Sequence, residues 1–310
     1  MRCRSTEDIV GELNRIIREE QRYHPEPDAE FFFRGEVQNF LSKDDNAPLD
    51  TRFKPYLERE DSWIESEREM YEEALRLNVT SFREDRTMAE RIARMQHYQL
   101  PTRFADISSN ALLAAHFASG GGEVKSTDKD NGRDGFIRII KVAKHKMKSF
   151  TSDIIIAISH LPLVSAEKVN PSQENGLGHL TYEIKNDRLC FWSEDEWSEI
   201  GFDLRREIQH VWAFKPVLNS ERVRAQGGAF LAFGCRDHKK SLNPSFSPKD
   251  YDNLHAPSYG IKQIGYIQIA AEAKKEIRKE LRYLGMSGEA VYPDLSNVCS
   301  ELANRFTKEA

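Results

Sequence analysis

Phe31-Phe32-Phe33-Arg34-Gly35-Glu36 is the stretch from which the chain is read. Three consecutive aromatics make a poor exposed surface and fit a short strand buried on both faces. An arginine directly after such a run must reach solvent or meet an anion, because an unpaired buried guanidinium is too costly. Gly35 has no Cβ, so a backbone or a ligand can approach closely there. Two roles for Arg34 follow. Its planar fork suits a phosphate or carboxylate clamp, and it equally suits a structural ion pair with a neighbouring Asp or Glu.

Upstream, Ser5 and Asp8 form a capping box for a helix over 5–23 with an apolar stripe of Ile9, Leu13, Ile16 and Ile17, and His24-Pro25-Glu26-Pro27 ends it. Downstream, the Asp, Asn and Pro residues of 42–56 predict a loop. A second helix is expected over 58–78, with Trp63, Ile64, Met70, Tyr71, Ala74 and Leu75 inward. Thr87 and Glu90 cap a third, which Leu100-Pro101 stops after Gln96-His97-Tyr98. Phe104 and Ile107 predict a short extended piece, and Ser108, Ser109 or Asn110 caps the helix Ala111–Ala118. Its alanines at 111, 114, 115 and 118 form a small-residue stripe that lets a neighbour sit very close. Hydroxyls, Arg103 and Asp106 thus fall between a strand and a helix start, a common place for anion contacts. His97 fits either a general base or a structural histidine.

The glycine-rich stretch 120–135 reads as a hairpin loop without the lysine-serine pair of a phosphate loop. Further strands are predicted at 136–142, 154–158, 211–214, 229–233 and 264–269. A charged helix is predicted over 270–284, ended by Gly285, and a short last helix after Tyr292-Pro293-Asp294-Leu295. Arg138, Lys141, Lys144, His145, Lys146 and Lys148 form a basic cluster between two of the strands, read as a phosphate-contacting or merely solvated loop. The aromatics of 189–202 read as core or a lid. A polar loop over 219–226, with Arg222, Arg224 and Gln226, enters a strand through Gly227-Gly228. These elements do not alternate as βαβ units, so the fold class expected is α+β, with N-terminal helices packed on a mainly antiparallel mixed β core.

With 39% hydrophobic and 31% charged residues in 310, the chain reads as a soluble globular protein. No apolar run approaches a membrane span and the N-terminus lacks a signal-peptide core, so a cytoplasmic location and no membrane partner are expected. Four cysteines, at 3, 190, 235 and 299, lack zinc spacing and read as reduced, buried thiols. A net charge of −5 argues against indiscriminate nucleic-acid binding but leaves room for a local basic groove.

Four separated stretches together resemble the FRG-domain family: Phe33-Arg34-Gly35-Glu36; Gln96-His97-Tyr98 with Leu100-Pro101-Thr102-Arg103, Asp106 and the alanine-rich helix; Asn219, Arg222, Gln226 and Phe230; and Leu284-Gly285 with Tyr292-Pro293-Asp294-Leu295. The match in order and separation implies one FRG-type domain over 1–310, divided into an N-terminal helix (1–30), the first half of a site with a helical insert (31–118), and a β core with C-terminal helices (119–310). The motif order is similar to that of ADP-ribosyltransferases. That resemblance implies an NAD-dependent transferase, acting as a bacterial toxin or phage-defence effector, without a metal. Arg34, Asp106 and Gln226 would be catalytic, and Arg34, Gly35, Thr102, Arg103 and Ser108 would bind NAD. Gln226 stands where those enzymes carry a glutamate. An amide cannot ionise, so the base falls to Asp106, Glu36 or His97, or the acceptor reacts unaided. Arg222 and Arg224 precede that position and suit a phosphate-bearing acceptor. RNA is therefore expected ahead of protein, with Trp192, Trp197 or Tyr98 as an aromatic platform for a base. A neutralising antitoxin protein is a further expected partner. The alternatives are a non-catalytic nucleotide- or nucleic-acid-binding module, and an NAD hydrolase or nuclease.

Overall fold

A computed structural model describes residues 2–38, 55–121, 132–163, 204–218, 221–234, 260–294 and 297–299. The polar loops expected at 165–181 and 235–260, the latter except Gly260, residues 42–54, the aromatic run 189–202 with Trp192 and Trp197, and Asn219 lie outside the described residues. Eight strands form one mixed sheet: β1 (Arg2–Cys3), β2 (Glu30–Glu36), β3 (Phe104–Ser108), β4 (Gly135–Val142), β5 (Met147–Ser149), β6 (Val211–Lys215), β7 (Gly228–Phe233) and β8 (Ile261–Ile269), in the order β1-β8-β4-β2-β3-β7-β6-β5. The outermost pairs, β1 with β8 and β5 with β6, are parallel, and every pairing between them is antiparallel. With its helices, this is the expected α+β architecture on a mainly antiparallel sheet.

The Phe31–Arg34 stretch forms β2, near the middle of that sheet. Phe32 joins one apolar cluster and Phe33 another, on opposite faces, so the aromatic run is sandwiched as its composition demands. β2 pairs with β4 along its whole length, from Glu30 with Val142 to Glu36 with Phe136. It meets β3 at one residue pair, Phe33 with Ser108. The sheet is therefore two four-stranded halves joined at a narrow seam.

The helix α1 (Thr6–Tyr23) starts at the Ser5 and Asp8 capping box and packs on β8. Asp61–Glu65 and Glu67–Leu77 form α2 and α3 where one helix was read, with Ser66 between them. Met88–His97 forms α4, capped by Thr87, and Ala111–Ala118 forms α5, whose first turn is capped by the Asn110 side chain. The alanine stripe of α5 lies directly on the sheet. A Cβ built on Gly35 would stand 1.9 Å from the carbonyl oxygen of Ala114, and one on Gly135 would stand 2.1 Å from that of Ala118. Only glycine permits this approach.

The strand expected over 154–158 is instead a helix, α6 (Asp153–His160), with every residue buried. It packs between α4 and β7 in the cluster that contains Phe104, Phe214 and Phe230. A helix buried all round shows the same continuous apolar run as a buried strand, and β-branched isoleucines favour the wrong choice. The polar loop expected over 219–226 is also corrected. After a short helix α7 (Leu204–Glu207), residues Glu221–Gln226 form α8. Gly227, at φ 55°, ends α8 and releases the chain into β7. Lys274–Tyr283 (α9) and Gly288–Val291 (α10) complete the described helices of defined length, and Gly285 follows α9 at φ 82°.

Two further expectations change. Arg138 and Lys141 are buried residues of β4 and do not belong to a basic loop. Arg138 Nε donates to Glu36 at 2.8 Å, and Lys141 Nζ donates to Glu20 at 3.2 Å and to the His24 carbonyl at 2.8 Å. Strand pairing placed these long cations over acids from β2 and α1, which sequence spacing cannot show. Of the cysteines, Cys3 is buried but Cys299 is exposed, while 190 and 235 lie outside the described residues.

Candidate functional site

One pocket opens at the seam. β2 supplies Arg34 and Gly35, β3 supplies Asp106 and Ser108, α4 supplies His97 at its last turn, and α8 supplies Gln226. Leu113, Ala114 and Phe117 of α5 close one side. The cavity itself is about 10 Å³, room for about one water.

Arg34 carries the electrostatics. Its Nη1 donates to the carbonyl oxygen of Asp106 at 2.8 Å and to its Oδ1 at 2.9 Å, and Nε lies 3.5 Å from Glu36 Oε1. Arg34 is 9% exposed, so it meets anions within the protein and does not reach into water. Burial works against its charge, and Asp106 and Glu36 more than restore it, leaving its pKa raised. Burial likewise pushes the Asp106 carboxyl up, but Arg34 and His97 outweigh it and hold the group at about 2. Glu36 is raised by burial and pulled below its ordinary value by Arg138, Arg34 and Arg59.

His97 is buried, and its ring meets Phe230 edge-on at 5.2 Å between centroids. Burial lowers its pKa to about 4, with Arg222 and Arg94 pushing the same way, while Asp106 and a hydrogen bond with Gln226 push back. At neutral pH it is an uncharged imidazole beside a carboxylate.

Ser108 Oγ donates to the backbone carbonyl of Gln226 at 2.8 Å, which ties β3 to the end of α8. Thr102 and Arg103 do not line the pocket. Thr102 is fully buried, and its hydroxyl donates to Gln96 Oε1 at 2.7 Å, while Gln96 Nε2 donates to Asp106 Oδ1 at 3.2 Å. Thr102 therefore stands one relay behind the site. Arg103 points elsewhere and is wholly buried, with Nε 2.9 Å from Glu67 Oε1 of α3. Arg222 is buried and does not line the pocket; its guanidinium carbon lies 4.4 Å from the ring centroid of Tyr292 and 5.3 Å from that of Tyr98. Arg224 is exposed and donates to the Leu218 carbonyl at 3.1 Å.

Arg59 was not singled out in the sequence. It follows Tyr56 on a short 3₁₀ turn, with its guanidinium carbon 4.6 Å from the Tyr56 ring centroid. Burial brings its pKa down to about 10, and it feels Glu36, Arg34 and Asp106. Its place is set by a backbone bond from Leu57 to the Thr102 carbonyl, which no residue pattern announces. Gln96 lay in a quoted motif, but its link between Thr102 and Asp106 needed the fold.

The family model described as FRG domain matches residues 29–127. That span runs from the start of β2 past α5 and contains Arg34, Gly35, His97, Asp106 and Ser108, so the resemblance read from the motifs is shown there. No curated protein and no solved structure matches the chain. Among the described residues, no three His, Cys, Asp or Glu side chains gather as a metal site requires, and no helix is long and apolar enough to cross a membrane.

Proposed function

We propose that the pocket is a nicotinamide-ribose site and that the protein is an NAD-dependent transferase, moving ADP-ribose to a macromolecular acceptor as a toxin or defence effector. The observation that supports this most is convergence. Arg34, Ser108 and Gln226 come from three distant parts of the chain and line one small pocket, with Ser108 bonded to the Gln226 backbone.

In such a transfer the bond between ribose C1′ and the nicotinamide nitrogen breaks, and nicotinamide leaves neutral with the electron pair. Positive charge grows on the ribose, an acceptor lone pair closes on C1′, and the acceptor's proton passes to a base or to water. The residues present fit the electrostatic part of this chemistry. Asp106 is ionised at neutral pH, and a carboxylate beside the ribose would stabilise a developing cation. Gln226 cannot take a proton but can orient a ribose hydroxyl. His97, neutral and beside Gln226, is the one pocket side chain with an uncharged ring nitrogen to accept a proton. A phosphate approaching Arg34 competes with Asp106 and Glu36 for the guanidinium. The closed cavity holds about one water, so binding requires the rim to move apart.

Purified protein is incubated with NAD, free nicotinamide is quantified, and RNA and protein from expressing cells are examined by mass spectrometry. Nicotinamide release that disappears in Gln226→Ala, together with an ADP-ribose adduct on a macromolecule, is the expected result. NAD loss with no modified acceptor gives the hydrolase reading. No NAD loss overturns the transferase and leaves the non-catalytic nucleotide-binding module.

A further inference from the structure

The pocket has an aromatic wall that the transfer chemistry does not use. Phe117, which lines the cavity, lies 6.1 Å from Tyr292 between ring centroids. Tyr292 is followed by the Arg222 guanidinium at 4.4 Å and then by the ring of Tyr98 at 5.3 Å. The result is a row of ring and cation contacts, tilted at Phe117 and Tyr292, that runs from the cavity to the exposed Tyr98. Its inner members are buried, Tyr292 at 8% and Arg222 at 5%, but Tyr98 is 60% exposed. Tyr98 directly follows His97, and Arg222 sits one helical turn before Gln226, so the outer end of this row is close in the chain to two pocket-lining residues.

One face of the Tyr98 ring is already covered by a cation, which fixes the ring plane. A partner that stacks on the opposite face pays little ordering cost, because the ring is pre-organised. The exposed Arg224 lies two residues along α8 from the cation beneath the ring and suits a phosphodiester.

We infer that the open face of Tyr98 is a stacking platform for an unpaired nucleobase, and that the acceptor presented to the pocket is a single-stranded nucleic acid. This inference rests on the transferase reading for the word acceptor; the binding itself does not. A duplex keeps its bases stacked on each other and offers no free face, so strandedness discriminates the mode.

The test measures binding without NAD, so that its failure is distinct from failure of the transferase reading. Fluorescein-labelled ten-residue oligoadenylate, as RNA and as DNA, and an RNA duplex of equal length are titrated by anisotropy against wild-type, Tyr98→Ala and Tyr98→Phe proteins. Expected are binding of a single strand, at least tenfold weaker binding of the duplex, a tenfold or greater loss in Tyr98→Ala, and wild-type affinity in Tyr98→Phe. The tighter of the two single strands identifies the natural sugar. No single-strand binding, equal binding of the duplex, or wild-type affinity in Tyr98→Ala overturns the inference. Exposure of the Tyr98 side chain makes misfolding a minor concern, and circular dichroism of each variant checks it.

Discussion

Arg34 grips Asp106 twice with one nitrogen, at the carbonyl oxygen and at Oδ1, across the line where β2 and β3 part. The guanidinium occupies the place of ladder hydrogen bonds that the diverging strands do not form. It holds a carboxylate in the pocket and joins the two sheet halves at once. Of the two roles that the sequence offers Arg34, the structure shows the ion pair.

Arg34→Ala leaves Asp106 and the buried Glu36 short of a partner. The expected cost is about 2–4 kcal/mol, below the full penalty for a broken buried pair because the Asp106 side chain is 39% exposed. Urea denaturation of wild type, Arg34→Ala, Asp106→Ala and the double variant measures the coupling. Additive single effects would mean that the pair contributes nothing.

Gly35→Ala forces a Cβ to within 1.9 Å of the Ala114 carbonyl oxygen and 2.8 Å of its carbon. Both contacts are backbone, so α5 itself must shift, and a loss of about 3 kcal/mol or more is expected. Gly11 is the control. It lies within α1 with nothing inside 4 Å of its Cβ position, and Gly11→Ala should stabilise by about 0.5–1 kcal/mol. Thermal melts that shift the same way for both would refute the packing argument.

His97 gives an acid sensitivity. Its folded pKa of about 4 lies below the ordinary 6.5, so between these values the unfolded chain binds the extra proton. Stability is fully present above pH 6.5 and falls as the pH drops toward 4. From pH 7 to pH 5 the expected loss from this group is about 2 kcal/mol. Denaturant midpoints at the two pH values, for wild type and His97→Gln, test this. The variant should lose most of the slope in that window, whereas Asp106, held near 2, contributes only below about pH 4.

Arg103 and Glu67 are 0% and 2% exposed, and Tyr71 Oη also donates to Glu67 at 2.7 Å. Arg103→Met strands the carboxylate and should cost about 3–5 kcal/mol, while pairing it with Glu67→Met should recover much of that loss. If Arg103→Met abolished NAD turnover without lowering stability, the residue would belong to the site and not to the support beneath it.

The sequence disclosed what is local. The aromatic run gave β2, the capping pairs at Ser5 and Thr87 gave two helix starts, and the alanine stripe of α5 announced a close neighbour, which the structure shows to be Gly35 and Gly135. Motif order led to an expected gathering of Arg34, Thr102, Arg103, Asp106 and Gln226, of which Arg34, Asp106 and Gln226 line the pocket while Thr102 and Arg103 lie behind it. What stayed hidden depends on distant pairing. The 154–158 run carries no period, so strand and buried helix look alike. Arg138 and Lys141 read as a basic surface until β2 and α1 brought acids to them. Arg59 gains its position only when the turn after residue 55 docks beside Thr102, and Gln96 meets Asp106 only when α4 packs beside β3.

The single Phe33–Ser108 pair has a dynamic consequence. β2 draws its register from β4, and β3 draws its register from β7, so each half keeps its ladder without the other. Each half also carries a helix-covered cluster of its own, one around Ile137 and Ile267 and one around Phe104 and Phe230. Amide exchange is the measurement that would tell whether the two halves open as separate cooperative units. Parting them costs one ladder contact and the Arg34 bridge, together with the cluster on the opposite face that spans the seam through Phe32 and Ile107. The pocket lies along the seam where the two halves share one ladder pair, so a motion that opens it for a ligand would strain the same seam that joins them.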